Sequence, residues 1–310
     1  MPWFRAHSSA AWMAMVASGE RLRAVAVLPQ AGQARPRVAW AWEGLWPSDA
    51  PGQRAALAAL TRAHGHTRRV WVLPPEHYRI VAGEAPADVP PEAWRDVLRW
   101  QLKGQVDFDV ADASIDLLTL PGDRHLQRRK QLLAVLAPHA ALRPVVHAAV
   151  AAKAPLTAID IPETALRNLS HRVAPEGRAQ ALLSFSAGTG SLVVTAGEDL
   201  VMYRQIDVTA DSLNTEDDAR REAALDRIGL EVQRTLDSFD RLHSHLSLAR
   251  LLVVPGPGMA ALTEHLRTLT YVPVLPFDLA EALDLSATPE LSGARAAPWL
   301  LALGAALRMD

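Results

Sequence analysis

The sequence predicts an α/β protein whose two halves follow the same plan. Three observations carry this. Residues 180–208 hold short apolar runs at 182–185, 192–195 and 200–206 separated by glycine-bearing turns, the pattern of an antiparallel meander. Residues 12–42 hold a second trio, at 12–16, 22–28 and 38–42, with a glycine turn after its first member. After each trio the pattern changes to alternating helical and strand-like segments.

In the first half, 55–63 (AALAALTRA) reads as a helix and 69–73 as a buried strand closed by Pro74-Pro75. A short strand at 78–81 and a proline-rich linker at 84–91 follow. Residues 92–103 form the best amphipathic helix of this half, with Trp94, Val97, Leu98 and Leu102 on one side. Strands are expected at 114–120 and 131–137, an alanine-rich helix at 138–152 and a strand at 156–161. In the second half the spacing predicts a long helical region at 215–246 interrupted at Gly229, then strand 251–254, helix 259–269 and strand 272–275. A closing helix at 299–308 presents Trp299, Leu300, Leu303 and Leu307 and needs a surface to cover; that surface is expected in the first half.

Composition excludes several classes. The chain has 310 residues, 49% of them apolar, enough for a full core in about two domains. The 32 basic residues nearly balance the 34 acidic ones, so no electrostatic case exists for nucleic acid or an acidic membrane. Cysteine is absent, which removes disulfides, cysteine-ligated zinc and thiol nucleophiles. The most apolar window, 132–152, is broken by Pro138, His139, Arg143, Pro144 and His147, so no bilayer span is expected. Arg5 precedes an apolar stretch at 10–17 that is short and runs into a glycine turn; export is therefore not expected, and a cytoplasmic protein is.

Several segments together carry a family resemblance. They are LPPEHYRI (73–80), EAWRDVLRWQLKGQVDFDVADASIDLLTLP (92–121), the meander at 180–208, EVQRTLDSF (231–239), VVPGPG (253–258) and LLALGAALR (300–308). In this order they resemble the PilM-type assembly proteins of type IV pili, and more narrowly the MshI-like subgroup of the mannose-sensitive haemagglutinin (MSHA) pilus. The resemblance implies the actin-like ATPase fold, a duplicated ribonuclease H-like α/β architecture. Its first lobe would cover 1–165, with an inserted subdomain at about 76–155, and its second 166–310.

Active proteins of this type carry an acidic residue at each meander turn to place a hydrated Mg²⁺, beside a glycine-rich turn for phosphate. Here Met15 or Val16 stands at the first acidic position and Ser184 at the second. Mg²⁺ is held through hard, charged oxygens, and phosphoryl transfer depends on it. Hydrolysis is therefore expected to be very slow or absent. Either no cofactor or weakly held ATP or ADP is expected. The candidate nucleotide-binding residues are Ser184, Ala187, Gly188, Thr189 and Gly190 at the second turn, the resembling ribose and adenine pair Glu231 and Arg234, and the adenosine-side glycines Gly256 and Gly258. Each has a plainer alternative: a hairpin turn that needs glycine, a surface ion pair and a strand-to-helix turn. Pro257 also removes one N–H donor from the last.

Other constellations are weaker. His64/His66 and His243/His245 lack further ligands for a metal. Ser184, Ser186 and Ser191 have no assignable His or Asp partner. Asp107 and Asp109 read as solvated residues, Trp40, Trp42, Trp71 and Trp94 as core, and Arg128-Arg129-Lys130 as a solvated turn. The expected function is a non-enzymatic scaffold of pilus biogenesis at the inner face of the inner membrane. Its implied partner is the cytoplasmic tail of a PilN-type protein, docking on the insert, with self-association open. The alternative is a nucleotide-binding switch with slow ATP hydrolysis.

Overall fold

The computed structural model describes residues 11–30, 35–64, 68–120, 131–185 and 188–308. The chain enters as three antiparallel strands, β1 (Trp12–Ser18), β2 (Arg21–Leu28) and β3 (Arg37–Leu45). Helix α1 (Ala50–His64) leads to β4 (Arg68–Val72), which runs parallel to β1. β1 alternates only weakly because both of its faces are buried: Trp12 and Ala14 enter one core cluster, Met13 and Met15 another.

After β4 the chain builds a separate sheet from β5 (Arg79–Glu84), then helix α2 (Trp94–Gln101), β6 (Ala113–Thr119) and β7 (Gln131–Pro138). The strand order is β5-β7-β6, so the segment at 131–137 is the centre of this sheet and not an edge. α2 turns Leu98 into a core with Leu102, Leu132 and Leu136 and leaves Trp100 77% exposed. Helix α3 (His139–Ala151) packs on α1 and returns the chain to β8 (Ala158–Asp160), parallel to β4.

Helix α4 (Pro162–Arg172) crosses to the second half, where β9 (Ala179–Phe185), β10 (Gly190–Ala196) and β11 (Asp199–Ile206) form the second meander. Short α5 (Ala210–Leu213) and long α6 (Asp218–Leu242) lead to β12 (Leu248–Val253), α7 (Met259–Leu269) and β13 (Val274–Pro276). α8 (Leu279–Ala282) and α9 (Leu300–Ala306) end the described chain. The first large sheet has the order β3-β2-β1-β4-β8 and the second β11-β10-β9-β12-β13. The two are one topology used twice.

α6 corrects the expected interruption at Gly229. The helix runs through it, and a Cβ there would lie 2.5 Å from Leu269 Cδ1, so glycine serves the packing of α6 on α7. α4 was not expected and sits against β9, β10 and β11, while α9 packs on β1, β2 and β4. Each helix thus covers a sheet, and the two also cross each other. At the crossing a Cβ on Gly304 would lie 2.1 Å from the Ala165 carbonyl oxygen, and Asn168 Nδ2 donates to the Gly304 carbonyl at 2.9 Å. One buried cluster consequently joins Val25 and Val70 of the first sheet to Leu182 and Val193 of the second.

Candidate functional site

The β1–β2 turn and the β9–β10 connection both open onto one cleft of about 1120 Å³ between the two large sheets. Topology explains the meeting. β1 and β9 hold the same central place in their sheets, so the turns that follow them face the same space.

The first turn brings Val16, Ala17, Ser18 and Gly19 to the cleft, with Gly19 at φ 55° closing the hairpin. Met15 points the other way and is 1% exposed, so of the two it is Val16 that lines the cleft. Ser184 lines the opposite wall together with Gly188 and Thr189, whose hydroxyl donates to the Ile206 carbonyl at 2.9 Å. Ala187 lies outside the described residues. Gly190 does not line the cleft: a Cβ there would meet the Phe185 ring at 2.5 Å.

At the third wall Gly256 lines the cleft between Pro255 and Pro257. Gly258 does not. It takes φ 75° before α7, and a Cβ there would lie 2.5 Å from the Leu213 carbonyl oxygen. Glu231 and Arg234 are also away from the cleft lining. They pair with each other on α6 at 3.1 Å, and Arg204 approaches Glu231 at 3.7 Å. The cleft thus gathers Ser184, Gly188, Thr189 and Gly256, and leaves Gly190, Gly258, Glu231 and Arg234 outside.

Several lining residues were not singled out from the sequence. Arg23 enters from β2 and holds Glu43 at 2.7 Å; Arg79 enters from the small sheet and holds Asp107 at 2.8 Å. Glu76 and Asp207 add two carboxylates, the latter paired with Arg227 at 2.9 Å. Six prolines complete the walls: Pro74, Pro75, Pro162, Pro255, Pro257 and Pro298. Pro74-Pro75 was legible as the end of a strand, but nothing in the local pattern placed it opposite Pro255 and Pro257.

Behind the cleft, two buried carboxyls fix the crossing elements. Tyr78 Oη donates to Glu163 Oε2 at 2.6 Å, and burial pushes the Glu163 carboxyl above its ordinary range although the tyrosine hydroxyl opposes the shift. Arg308 Nη1 donates to Asp160 Oδ1 at 2.6 Å; burial raises the Asp160 carboxyl, and the Arg308 guanidinium works against it. Among the described residues no group of three or more His, Asp or Glu is placed to hold a metal ion, and no helix is long and apolar enough to cross a membrane.

No protein-family model and no curated protein sequence matches the chain. Solved structures do. A chain of a PilM-PilN type IV pilus biogenesis complex superposes with a TM-score of 0.72 at 19% identity, over 96% of this chain and 97% of that one. The cytoplasmic domain of EpsL, an inner-membrane component of the Vibrio cholerae type II secretion system, superposes with a TM-score of 0.50 at 14% identity, over 97% and 96%. A Bacteroides thetaiotaomicron protein described as having an actin-like ATPase fold gives 0.49 at 8% identity, over 92% of this chain and 96% of that one. With its repeated five-strand order and the cleft between the two sheets, the chain has the actin-like ATPase fold.

Proposed function

We propose that this protein is a non-enzymatic scaffold of type IV pilus biogenesis that engages an inner-membrane partner of the PilN type. The observation that carries the reading is the match, over nearly the whole of both chains, to a chain of a PilM-PilN complex. The cleft supports the non-enzymatic part. Val16 and Ser184 stand where carboxylates would place the metal that phosphoryl transfer needs.

In this reading the two lobes are 1–165 and 166–310, and the small sheet within 76–155 receives the cytoplasmic N-terminal tail of the partner. The protein then sits at the inner face of the inner membrane through that partner. Its subgroup is the MshI-like one of the MSHA pilus. Trp100, 77% exposed on α2, is the anchor on this surface, because exposed tryptophans supply a large share of binding energy where they become covered.

Titrating the N-terminal peptide of a PilN-type protein against the full chain tests the reading. Saturable binding is expected, weakened by Trp100→Ala and unchanged by Leu242→Ala, a control leucine that is 69% exposed on α6. No binding to the unaltered chain would overturn the scaffold reading. Equal weakening by both variants, or by neither, would remove the small sheet from this role.

The second reading, a nucleotide-binding switch with slow hydrolysis, draws on Ser184, Gly188, Thr189 and Gly256 lining one cleft.

A further inference from the structure

We infer that the described residues of this cleft form no site for a metal-bound nucleoside triphosphate, and that the two sheets hold their arrangement without one. This goes beyond the scaffold reading, since a scaffold can still carry a bound nucleotide. It also decides against the switch.

Charge is the first ground. A triphosphate brings several negative charges, which phosphoryl-transfer sites meet with a metal, cations and N–H donors. Val16 and Ser184 offer no charge for a metal. Among the described residues the cationic side chains of the cleft lining are Arg23 and Arg79, and the anionic ones are Glu76 and Asp207, so these charges cancel. Both arginines also have partners already, Glu43 at 2.7 Å and Asp107 at 2.8 Å.

Donors are the second. Phosphate is cradled by backbone N–H groups that converge from turns and helix starts. Proline has none. Pro74 and Pro75 follow β4, Pro162 opens α4, Pro255 and Pro257 flank Gly256, and Pro298 precedes α9, so proline removes donors around much of the cleft; the β11-to-α5 corner at Asp207 and the two meander turns carry no proline. The starts of α4 and α7 are also taken up. The buried Glu163 carboxyl occupies the first turn of α4, and the Met259 N–H that opens α7 donates to the Gly256 carbonyl at 3.1 Å.

The glycines are the third. A glycine in a phosphate loop leaves room for a ligand to approach the backbone closely. At Gly190 that room is filled by the Phe185 ring, and at Gly258 by the Leu213 carbonyl. Gly188 and Gly256 remain open, but they lie on one half of the cleft, and the facing turn offers only Gly19.

The crossing of α4 and α9 then explains how the sheets stay in place. Gly304 against Ala165, Asn168 on the Gly304 carbonyl and the shared core supply the contact that a nucleotide bridging two lobes would otherwise supply.

Isothermal titration and thermal melting of the full chain with MgATP, with ATP in EDTA and with ADP test the inference. No saturable heat is expected, and at about 5 mM ligand the melting temperature should move by less than about 1 °C. The double variant Val16→Asp/Ser184→Asp, checked by near-ultraviolet circular dichroism, should also fail to bind MgATP. Saturable MgATP binding by the unaltered chain, or a bound nucleotide released on its denaturation, would overturn the inference. So would binding by the double variant, which would show that the backbone cradle is intact and that only the carboxylates are missing. If the double variant does not fold, the titration of the unaltered chain decides alone. None of these results depends on the tail peptide, so the scaffold reading stands or falls separately.

Discussion

The Tyr78 hydroxyl and the Glu163 carboxyl, 85 positions apart, meet at 2.6 Å where both side chains are buried. Tyr78 stands between β4 and the small sheet, and Glu163 lies in the first turn of α4, so the contact ties the small sheet's entry to the helix that leaves for the second half. Tyr78→Phe would leave a buried acceptor without this donor, and we expect a loss of about 1–3 kcal/mol in chemical denaturation. Glu163→Gln keeps an acceptor for the hydroxyl and should cost less. Equal stability of Tyr78→Phe and the unaltered protein would show that the bond contributes nothing.

The same carboxyl sets a pH dependence. Burial raises the folded-state pKa of Glu163 above its ordinary value of 4.5, so the folded state keeps its proton where the unfolded state has lost it. Stability from this group is therefore fully present at pH values below 4.5 and falls as pH rises from there through the raised value. Asp160 is shifted in the same direction and adds to the trend. Glu163→Gln should flatten the curve in that window. A difference between variant and unaltered protein that stays constant with pH would contradict the shift.

Gly304→Ala should be clearly destabilising. Its Cβ would lie 2.1 Å from a backbone oxygen of α4, which cannot turn aside as a side chain can. The gain in helix propensity is about 1 kcal/mol, and overpacking of this kind costs about 1–3 kcal/mol or more, so the clash wins. A lowered melting temperature checks it.

Gly229→Ala is the contrasting case. The nearest atom to its Cβ is the flexible end of Leu269, at 2.5 Å, with His265 Nε2 at 3.2 Å. Repacking one side-chain end offsets roughly the same 1 kcal/mol of propensity, and the expected change is within about 1 kcal/mol of zero. A loss as large as that of Gly304→Ala would mean that α6 and α7 cannot adjust.

Purified protein with Mg²⁺ and ATP should release phosphate no faster than its Ser184→Ala variant. Robust turnover that requires Mg²⁺ would refute the reading of Val16 and Ser184 as an empty metal site.

The strands and most helices were legible because their apolar spacing is local. α7, for one, begins at Met259 and ends at Leu269, the residues the spacing gave. α4 was not legible. Its PETALRNLSHR carries Glu163, Thr164, Asn168 and Ser170, all buried, so no polar face marks it as a helix. The signal it did carry was Pro162 at its first position and Thr164 reaching back to the Ile161 N–H at 3.2 Å. The cleft was legible in part. Ser184 and Gly188 follow from the turn, but whether a glycine serves a ligand or a neighbour depends on long-range packing, as Phe185 and Leu213 show at Gly190 and Gly258. Glu231 and Arg234 share a helix face as their spacing required, and satisfy each other there.

The exchange of α4 and α9 has a consequence for synthesis. A chain leaving the ribosome ordinarily completes its N-terminal unit first. Here the face of β1, β2 and β4 is covered by α9, at residues 300–306, some 280 positions after β2 begins at Arg21. β1, β2 and β4 therefore wait, with Trp12, Val25 and Val70 uncovered, until residues 300–306 have been made. A nascent chain stalled or truncated a few residues before Leu300 would expose that face for chaperones and proteases, however well its second half had folded.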